Sequence, residues 1–142
     1  MSFFEKSIPV LMYHRLTQKV PDSSLAILPE DFSKQLNWLE KKSFRFLSLD
    51  EVIQKKCRVP LGERSLALTF DDGFRDNYEH AFPLLLNRGK TAALFVVVHW
   101  VGTNGFVDWK EIRGLADSGI TIGSHALTHR WLPGVSDNEE LR

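Results

Sequence analysis

Short apolar runs alternate with stretches of helical periodicity along the chain, which is the signature of an α/β fold. Residues 8–13 read as a first buried strand, and the stretch after it, through Pro21, Asp22 and Ser23, has the chemistry of a loop. Residues 30–42 predict a helix. Its Phe32, Leu36 and Leu39 recur at i, i+4 and i+7 on one face, which leaves Lys34, Glu40 and Lys41 to solvent. Residues 44–47 are a weaker strand candidate, and a short helix is expected from Asp50 to about Lys56.

Residues 65–70 form an apolar strand that stops abruptly at Asp71, Asp72 and Gly73. Phe74, Tyr78, Ala81, Phe82 and Leu85 then share a helical face, with a kink expected at Pro83 and a stop at Gly89. Residues 91–98, rich in valine and almost wholly apolar, read as a doubly covered central strand. Asn104 and Gly105 mark a turn. Asp108 and Glu111 have capping-box spacing at the start of a helix that carries Trp109, Ile112 and Leu115 inward and ends at Gly119. Residues 120–122 make a fifth strand, and Gly123 leads into Ser124 and His125. Ser136 and Glu139 repeat the capping-box spacing, so a helix is expected to begin close to the last residue, Arg142. The whole, residues 1–142, is expected to be the N-terminal part of one domain: a parallel sheet or part of a barrel, cut short after about five strands and left with an open edge.

Composition narrows the partners. The 142 residues are 43% hydrophobic, enough for a core, and 18 basic residues balance 18 acidic ones. No global field or basic run favours nucleic acid or an anionic membrane, and no apolar run approaches the roughly 20 residues of a membrane span. Cys57 is the only cysteine, which excludes an internal disulfide and a cysteine-based zinc site and predicts a buried or bystander thiol. Residues 1–6 lack the basic and apolar segments of a secretory signal, so a cytoplasmic location is expected.

Two constellations carry chemistry. Asp71 and Asp72 follow a buried strand, at the end where β/α folds gather active sites, and adjacent carboxylates need a cation, a proton or solvent to compensate their repulsion. A solvated Asp-Asp-Gly turn explains them as well. His125 and His129, four residues apart after another strand, can face one metal, or can be two exposed loop histidines. Together they would converge on one rim, where two imidazoles and a carboxylate with an open position suit a hydrolytic zinc site.

With these residues a resemblance becomes specific. Thr69, Phe70, Asp71, Asp72 and Gly73, followed about fifty residues later by Gly123, Ser124, His125, Ala126, Leu127, Thr128 and His129, resemble the first two motifs of the polysaccharide deacetylases, a carbohydrate esterase family with a distorted β/α barrel. Pro9, Val10, Leu11, Met12, Tyr13, His14 and Arg15 are similar to the opening of the branch that acts on poly-N-acetylglucosamine. The resemblance implies Asp71 as general base and Asp72, His125 and His129 as ligands of a divalent ion, Zn²⁺ by preference. It implies an N-acetylated polysaccharide as substrate, which would lie more naturally in the cell envelope than in the cytoplasm. Ala126 departs from the Ser or Thr usual in the family, and a missing hydroxyl brace typically costs about 10- to 100-fold in metal affinity or activity.

The family's later motifs, an arginine beside the base, groove walls and an acid histidine, are not among these residues. The chain alone is therefore expected to be weakly active or inactive, and prone to self-association through its open sheet edge. A non-catalytic remnant or sugar-binding module that keeps the metal triad is the alternative; a metal phosphoesterase is disfavoured, since no Gly-rich phosphate loop accompanies the motif. Trp131 is the candidate for stacking on a sugar, ahead of Trp100 and Trp109, the last of which is expected to pack. His14 could reach the rim or be satisfied locally, while His80 and His99 read as structural or exposed.

Overall fold

The structure is a computed structural model and describes residues 5–18 and 24–131. Strands β1 (Glu5–Ser7), β2 (Val10–Tyr13), β3 (Arg15–Leu16) and β4 (Ala26–Ile27) precede helix α1 (Pro29–Lys41). Then come β5 (Arg45–Phe46), α2 (Leu49–Gln54), β6 (Arg58–Pro60) and β7 (Ser65–Phe70). A π-helix, Asn77–Ala81, runs directly into α3 (Phe82–Leu86), and β8 (Ala93–Val96), a 3-10 turn (Val98–Trp100), α4 (Trp109–Asp117) and β9 (Thr121–Ser124) follow. The expected α/β architecture is present, with five parallel strands in the order β2-β7-β8-β9 and β5 also paired with β7. The antiparallel pair β1–β6 and the parallel pair β3–β4 were not expected; strands of two or three residues leave no periodicity to read.

β7 organises the interior. All six of its residues are buried, and the strand's period of two sorts them. Leu66, Leu68 and Phe70 pack on the side of α1 and α3, with Phe32, Leu36, Leu39, Phe82 and Leu85. Ala67 packs on the other side, with Ile8, Leu47, Val52 and Val59. At the C-terminal end of β7 the Phe70 ring meets Phe82 at 5.2 Å, Tyr13 at 5.4 Å and Phe32 at 5.8 Å. Each such ring, fully buried, stabilises by about 1.5–3 kcal/mol, so the strand end that carries the two aspartates is the best anchored part of the sheet. Helix α1 starts at Pro29 with Glu30 and Asp31 in its first turn and has Lys41 in its last, in accord with the helix dipole.

Several expectations need correction. The first strand is half-buried rather than buried: Val10 and Met12 are 48% and 60% exposed, because β2 ends the sheet order and one of its faces carries no layer among the described residues. An unbroken apolar run does not distinguish an edge strand from a central one. The strand predicted over 91–98 spans only Ala93–Val96, although it does lie between β7 and β9. Trp109 is 56% exposed, not packed; at the first position of α4 it sits at the margin of the stripe set by the buried Ile112 and Leu115. Cys57 is exposed, which leaves the bystander reading.

Tyr78 also turns outward and Asn77 inward. The π-turn is the reason: with about 4.4 residues per turn it rotates the start of the helix relative to Phe82 and Leu85. The wide turn lies just before Pro83, where a kink was expected. The loop at 19–23 and the helix start at Ser136 and Glu139 lie outside the described residues.

The capping box at Asp108 and Glu111 is formed, with the Asp108 carboxylate accepting from the Lys110 and Glu111 amides at 2.8 Å. Asp108→Ala is expected to cost about 1 kcal/mol in urea denaturation. A methyl added at Gly123 would lie 2.5 Å from the Phe95 ring, so Gly123→Ala is expected to cost about 1–3 kcal/mol in the same measurement. An unchanged midpoint for Gly123→Ala would show that the Phe95 ring is free to swing aside.

Candidate metal centre

Because the sheet is parallel, β7, β8 and β9 end on one rim. The Asp71 amide donates to the Tyr13 carbonyl at 2.9 Å, which continues the β2–β7 ladder past its last paired residues, Tyr13 and Phe70. That register brings His14 opposite Asp71. The chain then turns sharply: Asp72 and Gly73 both take left-handed backbone, with φ of 73° and 83°. A Cβ at Gly73 would lie 3.1 Å from Val96, so only glycine lets the turn tuck against the end of β8. The turn is tied down by hydrogen bonds from the Val107 amide to the Gly73 carbonyl, 3.0 Å, and from the Val97 amide to the Asp72 carbonyl, 3.4 Å.

The histidine loop is zipped to the segment beyond β8. The His125 amide donates to Val96, the Val98 amide to the Ala126 carbonyl and the His99 amide to the Leu127 carbonyl, at 2.7, 3.2 and 3.0 Å. Ala126 and His129 have φ of 65° and 58°, so with Asp72 three non-glycine residues of one site are left-handed. Each costs about 1–3 kcal/mol, and such strain clusters at functional sites.

These segments bring Asp72, His125 and His129 together, as their spacing suggested. The Asp72 Oδ1 lies 3.6 Å from the His125 Nε2 and 3.3 Å from the His129 Nε2, and the three prospective ligand atoms fall within 4.8 Å of one another. For zinc with ligands at 2.0–2.1 Å, adjacent corners of a tetrahedron are about 3.4 Å apart, so the spacing suits one ion. The Asp72 Oδ1 is buried without a hydrogen-bond partner, a state that costs several kcal/mol unless a cation or proton meets it. Donor chemistry and spacing therefore fit a divalent ion.

The rings are held by packing: His125 and His129 lie 4.9 Å apart, and Trp100 tilts against His129 at 5.3 Å and against Phe106 at 4.9 Å. Trp100 was grouped in sequence with the sugar-stacking candidates; nothing in the order of residues shows that it backs a histidine. Asp71 is half-buried, and burial pushes its carboxyl above the ordinary range. The imidazoles of His125 and His14 oppose that rise and the Asp72 charge adds to it. Trp131 is 78% exposed, His99 is exposed and His80 half-buried.

Calorimetric titration with zinc checks the assignment of ligands. Asp72→Asn, His125→Ala and His129→Ala are each expected to lower affinity by more than the roughly 100-fold that loss of an outer hydrogen-bond partner brings. Asp71→Asn is expected to retain the ion; equal losses at Asp71 and Asp72 would dissolve the distinction between them.

Comparison with known proteins agrees with the motifs. The family model described as polysaccharide deacetylase matches residues 58–142. YxkH of Bacillus subtilis is 28% identical over 135 residues, covering 94% of this chain and 47% of that protein. The poly-beta-1,6-N-acetyl-D-glucosamine N-deacetylase of Staphylococcus epidermidis is 26% identical over 119 residues, covering 75% and 41%. The crystal structure of a polysaccharide deacetylase from Bacillus cereus superposes with a TM-score of 0.81 at 28% identity, over 96% of this chain and 44% of that one. The chain spans about half the length of the curated relatives it matches. With a family model that covers more than half of its residues, both motifs included, and a fold shared with a solved member, the chain belongs to the polysaccharide deacetylase family.

Proposed function

We propose that this chain supplies the metal-holding and proton-accepting part of a site that hydrolyses N-acetyl groups on an amino-sugar polymer. The observation that carries the reading is the buried, unpartnered Asp72 Oδ1 facing two imidazoles, with a second carboxylate next to it in the chain. The substrate named for the Staphylococcus epidermidis relative supports a poly-N-acetylglucosamine.

In this reading Asp72, His125 and His129 hold the ion, and two imidazoles with one carboxylate favour zinc. When bound, the ion would polarise the acetamide carbonyl and acidify water. Asp71, not needed as a ligand, takes the proton of the attacking water. Collapse of the addition intermediate expels an amine, which leaves poorly unless protonated. We assign that proton to His14, whose backbone lies across the ladder from Asp71. Trp131, 78% exposed, is the candidate to stack on a sugar ring.

Acetate release from N-acetylglucosamine oligomers, compared with peptidoglycan fragments and with the ion stripped and restored, tests the reading. Weak, metal-dependent release is expected with the oligomers. Asp71→Asn should lower it about 10²- to 10⁴-fold with the ion retained. Oligomer and metal binding without acetate from either substrate, in a protein that also carries the family's later motifs, would instead identify a sugar-binding module.

A further inference from the structure

Asn77, at the start of the π-helix, is the most deeply buried polar side chain among the described residues, with 0% of its surface exposed. Its Nδ2 donates to the backbone carbonyl of His14 at 2.9 Å, and its Oδ1 has no hydrogen-bond partner. Beside it the Asp76 carboxylate accepts from the Arg15 Nε at 3.0 Å and from the Leu16 amide at 3.3 Å. Two consecutive side chains thus grip three consecutive residues, where the chain leaves β2 and His14 alone separates it from β3.

Helix formation does not ask for this arrangement. A π-turn is rare, asparagine is a poor interior helix residue, and an unpaired buried acceptor costs about 1–3 kcal/mol. What these costs secure is a single contact, the His14 carbonyl. On the other side of His14, the Tyr13 carbonyl is held by the Asp71 amide. With the carbonyls of residues 13 and 14 both held, the backbone of His14 has little freedom, and the direction of its Cα–Cβ bond is set by the sheet and the π-turn together. Arg15, held by Asp76, also lies over the Phe74 ring at 4.9 Å, which closes the grip around the same segment.

We propose that Asn77, assisted by Asp76, is a positioning residue of this site: the π-turn swings it inward to fix His14 on the rim beside Asp71. The inference rests on the role given to His14 above and extends it by naming what holds that histidine in place.

Asn77→Leu nearly preserves volume while removing both the donor and the orphaned acceptor. Asn77→Ser, too short to reach the carbonyl, serves where leucine is not accommodated. The imidazole NMR signals of the five histidines, assigned by single His→Gln replacements, are compared with and without zinc. The expected result is displacement and broadening of the His14 signals, with those of His125 and His129 and their response to zinc unchanged. His14 signals that stay in place in a folded Asn77 variant would overturn the proposal, whatever the activity.

Acetate release supplies the second arm. Asn77→Leu is expected to lower kcat about 10- to 100-fold with KM nearly constant, the scale of losing an outer-shell partner. It is expected to have no further effect in a His14→Gln background, because residues acting through one another are not additive. Full additivity would make Asn77 a stability residue and sink the idea. Displaced His14 signals in a protein whose His14→Gln variant keeps full activity would uphold the positioning and refute only the proton-donor role.

Discussion

The register of β7 between β2 and β8 is the constraint on which the rest depends. Its six buried residues admit one arrangement, because a slip by one position would exchange Leu66, Leu68 and Phe70 for Ala67 and Thr69 on the face that receives α1. Once that register is set, the chain can leave the sheet only at Asp71, on the rim where β9 releases His125. The Phe70 cluster makes the exit rigid, since its ring is in contact with rings from β2, α1 and α3 at once. A candidate metal centre assembled from residues more than fifty positions apart would need such rigidity, since an imidazole displaced by an ångström would no longer share an ion with its partner.

Against that rigid frame the site itself is energetically poor. Asp72, Ala126 and His129 are left-handed without being glycine, and the Asp72 Oδ1 is buried without a donor. The backbone bonds from Val97, Val98, His99 and Val107 hold the two loops in these conformations, and the core beneath offsets the strain. The same pattern recurs one layer out, where the π-turn leaves the Asn77 Oδ1 unpaired while its amide reaches His14. Of the six non-glycine residues with left-handed backbone among the described residues, Asp72, Ala126 and His129 lie at this rim, while Ser43, Lys56 and Cys57 lie in the loops after α1 and α2.

Family membership gives the rim its chemical context, and the parts of this chain divide by their part in it. β7 and β9 present the prospective ligands, β2 presents His14, and Trp100 and Phe106 back the histidine loop. The Ala126 and Leu127 carbonyls accept from the Val98 and His99 amides, so part of the loop's bracing lies in main-chain bonds.

By itself the sequence determined the longer elements and the prospective ligands. The apolar run at Ser65–Phe70, the i, i+4, i+7 face of α1 and the capping box of α4 are local patterns, and local sterics and hydrogen bonding suffice to form them. The Asp71–Asp72 and His125–His129 pairs were legible as candidates because both directly follow strands, the end at which β/α folds gather their sites. What only the tertiary structure decided was which faces meet. Val10 and Met12 are exposed because β2 ended at the edge, Trp109 because its helix met the core further along its stripe, and Tyr78 because the π-turn gave the inward position to Asn77. His14 was ambiguous in sequence for the same reason: its meaning depends on lying opposite Asp71 across a ladder that joins residues far apart in the chain, and long-range register leaves no trace in local periodicity.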